Sequence, residues 1–272
     1  VDDDQILLGD NLDLLPSLPD AGFQLVYIDP PFNTGRMQER RSVAAIADAD
    51  GRPGFGGRRY RTELLERSSY RDVFDDYLGF LQPRLAQAHR LLNDTGTLYV
   101  HLDYREAHYV KLLLDEIFGR ECFLNEIIWA YDYGAKSRRR WPAKHDTILV
   151  YVRDVKRYFF DSETVDREPY MAPGLVTAEQ RERGKRPTSV WWHTIVSPTG
   201  KEKTGYPSQK PEGVLRRIVQ ASTRPGDRVL DFFAGSGTLG AVAKQLDRRY
   251  VLIDSNPEAV AVMQRRLQPQ GS

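Results

Sequence analysis

Two short stretches bring together residue types that an ordinary turn does not need. In "YIDPPFNTG", Tyr27 to Gly35, the strand-like Val26, Tyr27 and Ile28 run straight into Asp29, Pro30, Pro31 and Phe32. A carboxylate at a strand end can accept hydrogen bonds from a ligand. Each proline locks its own φ, and Pro31 drives Pro30 into an extended conformation. The Asp29 carboxylate and the Pro30 carbonyl are therefore two acceptors fixed before any ligand arrives. Phe32 adds a ring on which a planar group can stack.

The second stretch, "RVLDFFAGSGTLGAVAKQL", reads as strand, glycine turn and helix. Gly235, Gly237 and Gly240 satisfy G-x-G-x-x-G, and Asp254 ends the next strand, as in a dinucleotide fingerprint. An NAD-dependent oxidoreductase is one reading, and a packing turn without a ligand is the blander one. Two features weigh against NAD. The motif comes so late that no second nucleotide half can follow it, and Asp231 and Phe233 stand directly before the glycines. A carboxylate there would repel a pyrophosphate but suits a ligand carrying an ammonium. S-adenosylmethionine has one, with a ribose, an adenine and a carboxylate, and no phosphate.

Short apolar runs alternating with helical patterns must position these residues, which marks an α/β fold with a mostly parallel sheet. The strands expected are "QILL", "FQLVYID", "GTLYVHL", "EIIWAY", "TILVYV", "RVLDFF" and "RYVLID". Amphipathic periodicity predicts helices over "YLGFLQPRLAQAHRLL", with Pro83 as a kink or a start, and over "REAHYVKLLLDEIF", "PEGVLRRIVQAS", "TLGAVAKQL" and "NPEAVAVMQRRL". Two regions break the alternation. Residues 36–70, rich in glycine and arginine, read as a mobile loop or a segment that orders on binding. Residues 132–206 mix basic, aromatic and proline-rich pieces and read as an insertion carrying specificity rather than scaffold. The expected division is thus 1–131, 132–206 and 207–272.

The chain has 272 residues, 40% apolar and 28% charged, ordinary for a soluble globular protein. No apolar run is long enough to cross a bilayer and the start "VDDDQ" is no signal peptide, so a cytoplasmic protein is expected. The lone Cys122 excludes an internal disulfide framework and a thiolate metal cage, and the five histidines are scattered, so no metal is expected. The net charge of +1 conceals local blocks: "GAKSRRRWPAKH" gathers Lys136, Arg138, Arg139, Arg140 and Lys144 around Trp141, and "RERGKRP" follows later. Such blocks suit a face that meets a polyanion, and equally a solvated arginine-rich loop.

In order the chain gives "GDNLDLL", "DPPF", the basic region, "GYPSQKP", "DFFAGSGT" and "YVLIDSNPEAV". This series resembles the amino-methylating DNA methyltransferases, specifically the permuted β class, in which the catalytic motif precedes the cofactor motif. The resemblance spans nearly the whole chain. Phe32 replaces the commoner Tyr, Phe232 stands where many members have Pro, and Ser208 where many have Thr. It implies a circularly permuted, Rossmann-like S-adenosylmethionine-dependent methyltransferase fold, with 132–206 as an inserted target-recognition region. It also implies that Asp231, Phe233, Gly235 and Gly237 line the methionine end of the cofactor and that Thr238 and Lys210 lie near its carboxylate. Asp254 would take the ribose hydroxyls, and Asp10 would lie beside the adenine.

The chemistry follows from that resemblance. An exocyclic amine is a poor nucleophile because its lone pair is delocalised into the ring. Acceptors at Asp29 and Pro30 would draw the nitrogen toward tetrahedral geometry, with the base flipped out and stacked on Phe32. Adenine N6 is expected, because cytosine-N4 members more often carry Ser in place of Asp; cytosine N4 is the alternative. An NAD oxidoreductase and a catalytically silent DNA-binding module are more remote. Double-stranded DNA is the expected partner. A second copy of the chain and a cognate restriction endonuclease are partners that the sequence neither requires nor excludes, in a bacterial or archaeal, nucleoid-associated setting.

Overall fold

Every apolar run named above becomes a strand of one sheet. The computed structural model describes residues 4–33, 36–53, 59–72, 74–134, 136–197 and 200–268. In chain order the strands are β1 (Gln5–Leu8), β2 (Phe23–Ile28), β3 (Arg36–Pro53), β4 (Arg59–Asp72), β5 (Leu92–Leu102), β6 (Phe123–Ala130), β7 (His145–Val152), β8 (Val190–Trp192), β9 (Arg228–Asp231) and β10 (Arg249–Asp254). The helices are α1 (Asn11–Leu14), α2 (Tyr77–Leu91), α3 (Ala107–Phe118), α4 (Ala178–Arg183), α5 (Glu212–Ser222), α6 (Thr238–Gln245) and α7 (Pro257–Leu267).

Eight strands form the sheet, in the order β1-β10-β9-β2-β5-β7-β6-β8. From β1 to β5 all neighbours are parallel; β7 runs antiparallel to both β5 and β6. The last two strands of the chain thus lie between the first two, so order in space differs from order in sequence. All six residues of β2 are buried, which is why its sequence is a continuous apolar run rather than an alternating one. Alternate side chains feed opposite faces. Leu25 and Tyr27 join a core with Val214 of α5, Leu239 of α6 and Met263 of α7. On the other face Tyr151 of β7 lies 5.6 Å from Phe118 of α3 and donates its hydroxyl to Asp115 at 2.6 Å. Burying each large apolar side chain is worth about 1.5–3 kcal/mol, so the core fixes the end of β2 firmly.

Residues 31–77 form a compact unit distinct from residues 1–30 with 78–272. Within that unit β3 and β4 pair antiparallel from Arg36↔Asp72 to Pro53↔Arg59, in the stretch 36–70 read from sequence as a mobile loop or a segment that orders on binding. An antiparallel hairpin satisfies its backbone locally without an apolar pattern, which periodicity does not register. Residues 34, 35, 54–58 and 73 lie outside the described residues. The stretch 132–206 supplies β7 and β8 to the main sheet, so part of it is scaffold. Of the two readings for Pro83, the structure has it inside α2, and β9 ends at Asp231, leaving Phe232 and Phe233 to the turn. Cys122 is a free, buried thiol.

Candidate active site

Parallel sheets place ligand sites beyond the carboxyl ends of their strands. At that edge β9 stops at Asp231, whose carboxylate accepts the Phe233 N–H at 2.9 Å. The turn then meets the end of β10: Asp254 accepts the Gly235 N–H through Oδ2 and the Asn256 N–H through Oδ1, both at 2.8 Å. Gly237 has φ of 71°, and a Cβ there would stand 2.7 Å from Met263 Cγ. Only glycine lets α7 close on this turn. Thr238 begins α6; its hydroxyl donates to the Lys210 carbonyl at 3.2 Å and accepts from Arg266 at 3.1 Å. That side chain ties the "QKP" segment to the glycine turn.

Asp10 caps α1 by accepting the Leu12 N–H at 2.8 Å and meets Arg84 at 3.3 Å. Arg84 also donates to Asn11 at 2.7 Å, while Asn11 donates to the Phe232 carbonyl at 2.9 Å. The guanidinium lies 3.9 Å over the Phe80 ring, which is 6.1 Å from Phe233. Burial lowers the Arg84 pKa and the Asp10 carboxylate opposes that shift. Asp10 and Phe233 therefore belong to one wall built around a buried arginine. Sequence reasoning missed Arg84 altogether, because nothing near it in the chain signals a site.

Asp29 follows β2, the neighbour of β9. Its Oδ2 is ion-paired with Lys210, whereas Oδ1 is buried and, among the described residues, without a hydrogen-bond partner. A buried acceptor left unmet costs about 1–3 kcal/mol, which a ligand N–H would recover. Lys210 thus sits on the catalytic candidate Asp29, a contact that resemblance alone did not imply. Pro30 is buried beside it. Pro31 and Phe32 begin the 31–77 unit, where Tyr77 donates to the Pro31 carbonyl at 2.7 Å and Phe74 N–H to Asn33 at 3.1 Å.

Six neighbouring strands, β1, β10, β9, β2, β5 and β7, each carry an aspartate at this edge: Asp10, Asp254, Asp231, Asp29, Asp103 and Asp146. Burial pushes Asp231 well above the usual carboxylate range, and Asp29 and Asp254 add to this while Lys210 opposes it. Burial also raises Asp254, against the two backbone donors. Asp146 goes the other way. Its burial disfavours charge, yet the hydrogen bond and field of His101, with Lys210 behind, hold it low. His101 is fully buried and bridges Tyr27 (2.9 Å) and Asp146 (3.0 Å), and Tyr131 donates to Asp146 at 3.0 Å. Asp103 and Asp146 were missed; "GTLYVHLD" offered an acid at a predicted strand end, but that β7 enters this edge antiparallel is decided by the fold.

Of the basic residues, Lys136, Arg138, Arg139 and Arg140 are exposed, and Trp141 is 95% exposed. Among the described residues the three arginines have no acidic partner. Lys144 differs: it pairs with Asp132 at 2.6 Å, which holds that carboxyl below its usual range. In the second basic stretch two of the cations are paired, Lys185 with Glu168 at 2.9 Å and Arg186 with Glu163, while Arg181 and Arg183 are exposed.

A profile of the DNA methylase family of N6 and N4 methyltransferases matches residues 23–265. The chain is 30% identical over 270 residues to DNA adenine methyltransferase YhdJ of Escherichia coli (strain K12), covering 96% of this chain and 82% of that protein. It is 28% identical to the type II methyltransferase M.HpaI of Haemophilus parainfluenzae, covering 97% and 74%. In fold it is similar to the M1.HpyAVI–SAM complex (TM-score 0.61, 22% identity, 97% and 99% covered) and to the cytosine-N4-specific PvuII DNA methyltransferase (0.67, 17%, 98% and 87%). Since the family match runs through both the Asp29 strand end and the glycine turn, the chain belongs to the DNA methylase family.

Proposed function

We propose that the chain transfers a methyl group from S-adenosylmethionine to N6 of an adenine flipped out of double-stranded DNA. The observation that carries this reading is the Asp29 Oδ1 atom, buried and, among the described residues, without a hydrogen-bond partner, one strand away from the glycine turn. The residues present fit the cofactor. Asp231 and Asp254, at the ends of β9 and β10 on either side of the glycine turn, offer acceptors to an ammonium and to ribose hydroxyls. When bound, S-adenosylmethionine supplies an electrophilic methyl that carries its own leaving group. Asp29 Oδ1 accepts one amine hydrogen and the Pro30 carbonyl the other, drawing the nitrogen lone pair out of conjugation and aiming it. A base inside a duplex cannot reach this edge, so flipping precedes transfer. Phe32 is the stacking ring, and Arg138, Arg139 and Arg140 meet phosphates.

Adenine is favoured over cytosine by Asp29 itself and by the name of the Escherichia coli relative. The type II name of M.HpaI supports a restriction–modification setting with a cognate endonuclease. Nucleoside mass spectrometry of duplex DNA incubated with the purified chain and S-adenosylmethionine tests the assignment. N6-methyladenine is the expected product; N4-methylcytosine instead would move the target, and no methylated nucleoside would remove the activity.

A further inference from the structure

We infer that Lys210 is a positioning residue for Asp29: it holds one carboxylate oxygen so that the other faces the amine. This rests on the proposed reading of Asp29 and deepens it. Lys210 and Asp29 come from sequence positions 181 apart, and both side chains are largely buried, 11% and 17% exposed. A carboxylate on a short side chain can rotate about χ2, and either oxygen could then meet a ligand. The Lys210 ammonium removes that freedom by taking Oδ2, and the oxygen left over is the one that is buried and, among the described residues, without a hydrogen-bond partner.

The lysine is itself held. Its carbonyl accepts the Thr238 hydroxyl at 3.2 Å, Thr238 accepts from Arg266 at 3.1 Å, and Arg266 pairs with Glu212 at 2.6 Å. A continuous set of bonds thus runs from α7 through the first residue of α6 to the catalytic acid. The strand end that presents the amine acceptor and the turn that fits the cofactor are locked to each other through Lys210. Methyl transfer needs an in-line approach of nitrogen and methyl, so a device that fixes one half of the site relative to the other acts on the chemical step.

The test separates binding from chemistry. Lys210→Met and Lys210→Arg are compared with the parent for S-adenosylmethionine affinity by calorimetry and for single-turnover methyl transfer at saturating cofactor and DNA. Lys210→Met should slow the saturated transfer by about 10²-fold, the scale of a misplaced reacting group, with cofactor affinity unchanged within error. Lys210→Arg, which keeps the charge, should recover part of the rate and serves if the methionine variant does not fold. A weakened cofactor affinity with an intact saturated rate would make Lys210 a cofactor anchor and overturn the inference, as would equal losses of both or no loss of either. Failure of the underlying reading looks different: Asp29→Ala would then retain turnover whatever Lys210 does.

Discussion

The aspartate edge and the 136–144 segment are opposites in construction. At the edge, each of the central carboxylates has a fixed neighbour: Asp29 has Lys210, Asp231 the Phe233 N–H, Asp254 two backbone donors, and Asp146 His101 and Tyr131. In the segment, Arg138, Arg139 and Arg140 are exposed, and the Ser137 hydroxyl accepts from the Arg139 and Arg140 backbones at 3.2 Å. The difference matches what each task requires. Methyl transfer depends on sub-ångström placement in a dry, preorganised site, whereas neutralising phosphates needs charge and access, and tolerates motion. A third region sharpens the contrast: Lys185 and Arg186, in a stretch of similar composition, are paired with Glu168 and Glu163.

The largest effect should come from breaking the edge at its centre. Asp29→Ala is expected to lower single-turnover methyl transfer by about 10³-fold or more, with S-adenosylmethionine affinity near the parent's. Asp254→Ala should reverse that pattern, weakening cofactor affinity first. Equilibrium binding beside the transfer rate reads both, and matching profiles for the two variants would dissolve the distinction between catalytic and cofactor carboxylates.

A smaller effect, of opposite sign, is expected for stability. Burial raises Asp231, so above the ordinary carboxylate range the folded state holds a proton that the unfolded chain has released. Stability therefore falls as pH rises from about 4 toward the raised titration of Asp231. Asp231→Asn removes that slope and should raise Tm at neutral pH, by about 2–4 °C for each 1 kcal/mol regained, while weakening the cofactor site. Calorimetric scans across that pH range check it; a Tm that drops at neutral pH would show that the charged form is already compensated.

The mildest effect belongs to the basic segment. Replacing Arg138, Arg139 and Arg140 by alanine should weaken binding to all duplexes alike and reduce the salt slope by about one per lost contact. The same treatment of Lys185 and Arg186 should leave the slope where it was. Binding isotherms at several salt concentrations decide between them, and an equal response from the two stretches would erase the comparison.

Much of this site was legible before the fold was known. "DPPF" and "DFFAGSGT" lie in strand–turn units whose geometry is set within a few residues by proline φ, glycine φ and the end of an apolar run, so Asp29, Asp231 and Asp254 fall at strand ends from the sequence alone. The helices over α3, α5, α6 and α7 follow likewise from periodicity that each segment carries in itself. What local pattern does not hold is pairing. The hairpin of β3 and β4 escaped because its backbone bonds require no apolar stripe. The paired Arg186 and the open Arg138, Arg139 and Arg140 look alike as strings, since whether an arginine meets a glutamate is settled by which loops the sheet brings together.

Sequence by itself determined the α/β alternation, the glycine turn and the acids that flank it, because backbone sterics and hydrophobic period act over a few residues. Only the tertiary structure decided that Lys210 reaches Asp29, that Arg84 stands behind Asp10 and Phe233, and that His101 joins Tyr27 to Asp146. Those contacts arise where distant strands are packed side by side, and the free energy that selects them is the burial of the whole sheet rather than any property of the segments that meet.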